Sequence, residues 1–192
     1  MNEDHAKYCS SPEWAEYLQT EVLPRFERDV PLGGDLLEIG PGPGAATEWL
    51  RHRVTRLTAL EIEEEAAAKL AASYAGTNVQ IVAGDATAME FDDASFDLVG
   101  TFTMLHHVPT TARQNQVLAE AFRVLRPGGV LFGSDSLGSD HLHHFHEGDT
   151  YNPMEPSTLL TRLQVLGFEK ITIGVHDRVT FIAHKPAPEV SP

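Results

Sequence analysis

Cysteine is almost missing from this 192-residue chain: Cys9 is the only one. One thiol cannot build a disulfide framework or a cysteine-rich zinc or iron–sulfur site. Basic residues are scarce too. Fourteen Lys and Arg stand against 28 Asp and Glu, a formal net charge of −14. A surface this acidic repels phosphate backbones and anionic membranes, which speaks against nucleic-acid and membrane partners. No apolar run approaches transmembrane length. Residues 1–7 are polar where a secretory signal would carry an apolar core. The expected location is therefore cytoplasmic. No internal repeat is present, and nothing in the sequence fixes an oligomeric state. What is there is ordinary: 42% hydrophobic and 22% charged residues, enough for one domain with its own core.

The first 34 residues read as a helical N-terminal arm. Ser11 and Pro12 make a helix start, a capping hydroxyl followed by proline at the first helical position. Trp14, Leu18 and Val22 then give one apolar face. From residue 35 the rhythm changes. Short apolar runs at 36–39, 57–60, 79–82, from 96 onward and at 130–133 alternate with helical stretches, notably 63–75 and 111–125. That alternation predicts βαβ units, a parallel sheet and right-handed crossovers. The stretch 134–156 has no clear period and reads as a substrate-facing loop. A helix resumes at about Pro156, and β-rich runs at 171–173 and 179–182 make a hairpin-like pair closing one sheet edge. The expected organisation is an arm (1–34), one domain (35–185) and a frayed Pro-rich tail (186–192).

The first strand run ends in Glu38-Ile39-Gly40-Pro41-Gly42-Pro43-Gly44. Glycines between a strand and a helix allow a sharp turn and close ligand approach, and the helix start offers unpaired N–H groups to the same place. The spacing fits two ligands. Gly40-x-Gly42-x-x-Ala45 matches the dinucleotide fingerprint, and Glu61, 21 residues past Gly40, stands where a ribose-binding acid belongs. Nicotinamide dinucleotide and S-adenosylmethionine both remain open on the loop alone. Glu38 bears on the choice, because a carboxylate at the loop mouth repels a pyrophosphate but can engage an ammonium group. Asp85, after the third strand run, puts a second carboxylate at the same sheet edge.

Taken in order, Glu38 to Gly44, Glu61, Gly84-Asp85-Ala86, Phe96-Asp97-Leu98-Val99 and Leu125-Arg126-Pro127-Gly128-Gly129 resemble the successive motifs of class I S-adenosylmethionine-dependent methyltransferases, the type 11 subgroup. The resemblance covers residues 35–133. It implies an α/β fold: a Rossmann-like doubly wound sheet, mostly parallel, of about seven strands with an antiparallel final strand. It implies S-adenosylmethionine as cofactor. Glu38, Gly40, Gly42 and Gly44 would lie under its methionine part, Glu61 would bind the ribose hydroxyls and Ile62 would face the adenine. Asp85 and Ala86 would meet the adenine edge, and the backbone of Thr103 and Met104 would touch the methionine end.

Methyl transfer needs positioning first and a base only sometimes. His106 and His107 follow the fourth strand run and are the candidate general base. His141, His143, His144 and His146 crowd the loop after the fifth run and, with Tyr8 of the arm, are candidates to face the substrate. These histidines lack a regular ligand spacing such as H-E-x-x-H, so no metal is expected. The fourth run ends in Thr103-Met104-Leu105-His106, not in the Asn-Pro-Pro-Tyr of amino-methyltransferases acting on adenine or glutamine. A single cysteine excludes the thiolate set of arsenite methylation. The expected acceptor is an oxygen, nitrogen or carbon atom of a small molecule. Two readings stand beside it: a nicotinamide-dependent oxidoreductase, for which no Tyr-x-x-x-Lys pair is present, and a cofactor-binding module without catalysis.

Overall fold

The computed structural model describes residues 2–188, so the last residues of the Pro-rich tail, 189–192, lie outside the described residues. Seven strands form one sheet: β1 (Asp35–Ile39), β2 (Arg56–Glu61), β3 (Val79–Ala83), β4 (Phe96–Phe102), β5 (Leu125–Asp135), β6 (Glu169–Val175) and β7 (Val179–His184). Their order is β3-β2-β1-β4-β5-β7-β6. The first five run parallel, and β7 inserts antiparallel between β5 and β6. The chain turns from one side of β1 to the other between β3 and β4. Above the carboxyl ends of β1 and β4 lies the switch point where sheets of this kind bind ligands.

Strand residues alternate between two apolar layers, as a period of two requires. Leu37, Ile39, Val99 and Leu131 face a layer shared with α5 (Thr111–Val124) and α7 (Pro156–Val165). Leu36, Leu57, Leu98 and Phe132 face the other, shared with α3 (Ala45–Leu50) and the arm. α4 (Glu64–Ser73) buries Ala67 and Leu70.

The arm is a series of short helical pieces. After α1 (Glu3–Cys9) and α2 (Pro12–Tyr17) the backbone widens into a π turn over Leu18–Val22. It then tightens into a 3-10 turn over Leu23–Phe26, where Pro24 removes a backbone donor. The Ser11 hydroxyl caps α2 by accepting from the Trp14 N–H at 3.1 Å, as the sequence predicts. Leu18, Val22, Leu23 and Phe26 are buried in the sheet's own core.

Two elements depart from the sequence reading. β5 begins at Leu125, ahead of the Pro-Gly-Gly stop, and its pairing with β4 slips there: Phe96 faces Leu125 but Leu98 faces Val130. Pro127 has no N–H to give and Gly128 sits at φ +83°, so the strand bulges rather than ends. The second is a short helix, α6 (Asp140–Phe145), inside the stretch 134–156. Ser139 caps it, accepting from the Leu142 N–H at 3.2 Å. No helix among the described residues is long and apolar enough to cross a membrane.

Candidate active site at the carboxyl edge of the sheet

The loop after β1 turns through Gly40 at φ +66° and Gly42 at φ +52°, a region that favours glycine. The two positions differ in what surrounds them. A Cβ on Gly40 would lie 2.1 Å from the Met104 Cγ, so here glycine lets β1 and the β4 turn close up. A Cβ on Gly42 would meet nothing within 4 Å. Gly42 therefore borders open space on the ligand side of the sheet. Gly44 caps α3, and its carbonyl accepts from the Tyr74 hydroxyl at 3.2 Å.

Glu38 is buried, and its Oε2 accepts from the Thr47 hydroxyl at 2.7 Å. Burial lifts its pKa from 4.5 to about 7, against the Thr47 bond and reinforced by nearby Glu61. Glu61 is buried at the end of β2 and accepts from the Glu63 N–H at 3.1 Å. Ile62 stands beside it with its side chain in solvent, 66% exposed, which suits a residue meant to cover a flat apolar ring. Asp85 is more committed than the sequence suggests. Its Oδ1 accepts from the N–H and the hydroxyl of Thr87, both at 2.8 Å, and Arg113 reaches Oδ2 at 3.0 Å. The Thr87 N–H does most to hold its pKa below the usual carboxylate range. Ala86 is half-buried against the core. Thr103 holds φ +53°, costly for a β-branched residue, and its N–H donates to the Ser134 carbonyl at 2.8 Å.

Beside this edge lies a knot of imidazoles. His106 and His107 occupy the 3-10 turn after β4. His146 follows α6, and His5 comes in from α1. Ring centroids are 4.1 Å apart for His106 and His107, 4.8 Å for His5 and His107, and 4.3 Å for His5 and His146. Burial and the neighbouring imidazoles lower His5 to about 4 and His107 to about 3. Burial also pulls His146 down. His106 Nδ1 lies 2.6 Å from the buried Asp135 at the end of β5. Burial pushes the Asp135 carboxyl up, but His106, the Ser136 N–H and Arg178 together bring it below its ordinary value.

The loop histidines do not act together. His141, His143 and His144 are exposed: His143 stacks edge-on with Tyr151 at 4.8 Å, and His144 pairs with Glu147 at 3.3 Å. Six residues of α6 point most of their side chains outward, and only His146, at the helix end, turns into the knot. Of the five residues expected to face substrate, His146 alone is buried there. Tyr8 is 49% exposed and rests on Trp14 and Phe145.

Sequence reasoning missed His5, Asp135 and Arg178. Arg178 is buried in the β6–β7 turn, beside the Trp14 and Tyr17 rings, and its Nε and Nη1 have no hydrogen-bond partner among the described residues. A lone arginine between two strand runs gives no sequence signal.

A methyltransferase domain family, type 11, matches residues 37–133, half of the chain. A probable S-adenosylmethionine-dependent methyltransferase of Mycolicibacterium smegmatis is 33% identical over 151 residues, covering 74% of this chain and 55% of the relative. Ribosomal RNA small subunit methyltransferase A of Moorella thermoacetica is 42% identical over 132 residues, covering 55% and 46%. The chain thus spans about half the length of these curated relatives. An S-adenosylmethionine-dependent methyltransferase structure from Mesorhizobium loti shares the fold with a TM-score of 0.70 at 16% identity, over 89% of this chain and 98% of that one.

Proposed function

Since the chain belongs to the class I methyltransferases of the type 11 subgroup, we propose that it moves a methyl group from S-adenosylmethionine to an oxygen, nitrogen or carbon atom of a small molecule. The observation that carries this reading is the open space at Gly42, flanked by the buried carboxylates of Glu38 and Glu61 at the switch point of the sheet. These residues suit the cofactor. Glu38, its pKa lifted to about 7 by burial, is ready to ionise against an ammonium group. Glu61 can accept from ribose hydroxyls, Ile62 can cover the adenine, and Asp85 and Ala86 border its edge. The backbone of Thr103 and Met104 closes the methionine end.

The cofactor supplies an activated methyl group on a sulfonium. The protein orients the acceptor and excludes water, and the wall of buried histidines beside Thr103 does both. A general base is optional. A group with a pKa of about 3 accepts protons poorly near neutrality, so His107 drops out. The base role narrows to His106, whose Nδ1 is held by Asp135.

A small-molecule acceptor fits the charge. The net charge of −14 opposes a polyanion. Arg113, Arg123 and Arg126 are each engaged by carboxylates, and Arg178 is buried. The Moorella relative is named for ribosomal RNA, an acceptor that the acidic charge of this chain disfavours.

Calorimetry tests the reading. S-adenosylmethionine and its demethylated product should bind, and nicotinamide dinucleotide should not. The reverse pattern would replace a methyltransferase with an oxidoreductase.

A further inference from the structure

We propose that His5, His106, His107 and His146 form a binding site for a divalent late first-row transition ion of the zinc class. One ring nitrogen from each of the four can be chosen so that all lie within 4.8 Å of one another. Ordinary zinc–imidazole bonds of about 2.0–2.1 Å set tetrahedral ligand nitrogens about 3.3 Å apart. The cluster is within side-chain adjustment of that shape. Four imidazoles without a thiolate or a coordinating carboxylate suit zinc, cobalt, nickel or copper, and not calcium or magnesium.

The proton positions point the same way. A carbonyl only accepts hydrogen bonds, and the Leu142 carbonyl lies 2.7 Å from His146 Nδ1. That nitrogen therefore carries the proton, and Nε2 of the neutral ring carries the lone pair. The carboxylates of Asp135 and Asp149 take the Nδ1 protons of His106 and His5 at 2.6 and 3.3 Å. Three of the four rings thus keep Nε2 as the open donor. Nε2 of His106 and of His146 is buried without a partner among the described residues. Buried polar atoms are rarely left so, and two in one cluster ask for a shared ligand.

The surroundings complete the chemistry. An acceptor behind each ligating imidazole, orienting the ring and raising its basicity, is the usual outer ring of a metal site. Asp135 and Asp149 are almost fully buried, at 0% and 8% side-chain exposure, so both carboxylates bear on their rings at short range. The ligands come from three separate segments, the arm, the turn after β4 and the end of α6, so no local spacing announces them. The site does not rest on the methyl-transfer reading, because none of its four ligands is among the residues assigned to the cofactor. In the metal-loaded protein His106 is a ligand and not a base, since one lone pair cannot serve both roles.

Tag-free protein stripped with a chelator should take up one Zn2+ per chain by calorimetry. Co2+ should give the intense visible absorption of a tetrahedral nitrogen site. His146→Ala and His5→Ala should each weaken Zn2+ binding at least tenfold and lose the Co2+ spectrum. His143→Ala and His144→Ala, on the same loop but exposed, should change neither. Asp135→Asn should weaken binding by about 10- to 100-fold. Circular dichroism checks that each variant is folded; if His146→Ala is not, the wild-type Co2+ spectrum and stoichiometry decide. An octahedral or absent Co2+ signal would overturn the proposal. So would uptake that survives His5→Ala and His146→Ala, or that follows His143 and His144 instead.

Discussion

The two edges of the sheet treat polar groups in opposite ways. At the amino edge, charge answers charge. Arg56 at the start of β2 clamps Asp35 at the start of β1 with two bonds of 2.8 and 2.6 Å. Arg126 reaches Asp35 at 3.3 Å and Asp97 at 2.8 Å, and Asp97 in turn accepts from the Asp35 N–H at 2.8 Å. Water wets this lattice: the Arg56 side chain is 73% exposed. At the carboxyl ends of β4 and β5 the polar atoms are buried and incomplete. Thr101 Oγ1, Ser134 Oγ, Asp135 Oδ2 and the Nε2 atoms of His106 and His146 have no partner among the described residues. The amino edge is finished by the chain itself. The carboxyl edge holds acceptors and donors whose partners the described residues do not supply, as suits a ligand end rather than a structural one.

Breaking the buried side of that comparison should cost most. His106→Ala in metal-free protein leaves the Asp135 carboxylate buried with the Ser136 N–H at 2.7 Å and the Ser136 hydroxyl at 3.5 Å. A loss of about 3 kcal/mol in urea unfolding is expected, as for other orphaned buried charges. A loss under 1 kcal/mol would mean that water already serves this carboxylate. Next comes Glu61→Ala. Removing charge-assisted bonds worth about 1.5–3 kcal/mol should weaken S-adenosylmethionine by about 10- to 100-fold in calorimetry. Unchanged affinity would place the ribose elsewhere.

Glu38 sharpens the comparison through pH. Its folded-state pKa lies above its ordinary 4.5, at about 7. Its contribution to stability is therefore complete below about 4.5 and is lost as pH rises through about 7. Cofactor affinity should run the other way, since the ammonium group favours the ionised carboxyl. Affinity should fall about tenfold for each pH unit below 7, and fall again above about 8 as the ammonium group itself loses its proton; Glu38→Gln should flatten the low-pH limb. The smallest effect belongs to the finished edge. Arg56→Ala should cost about 0.2–1 kcal/mol, less at high salt, and leave cofactor affinity unchanged. A large change in affinity would erase the distinction between the edges.

What could be read from the chain followed the range of its signals. The glycine loop, Glu61 and Asp85 are legible because each sits at a fixed distance from a strand end. The sheet is legible because its apolar runs alternate with helices. α6 escaped although its signal was there: Ser139 followed by Asp140 is a capping pair, obscured by the short helix and its histidines. His5 and Arg178 could not be found this way. Each reaches the site from a distant segment, and its role depends on what the fold brings against it. The crowd of histidines at 141–146 is only partly legible for a related reason, because density along a sequence says nothing about which rings a six-residue helix turns inward.

One small contact has a consequence for local opening. Asn2 donates from its side-chain amide to the carbonyls of Phe145 and Glu147, at 3.0 and 3.3 Å, and from its backbone to Asp149 at 3.2 Å. These bonds fasten the first helix to the segment after α6 rather than to the sheet. His5 and His146 thus enter the knot on two segments that are tied to each other as well as to the turn after β4. Asn2→Ala, by cutting that tie, should raise amide hydrogen exchange in α1 and α6 together; a rise in one alone would mean that the two segments are held separately.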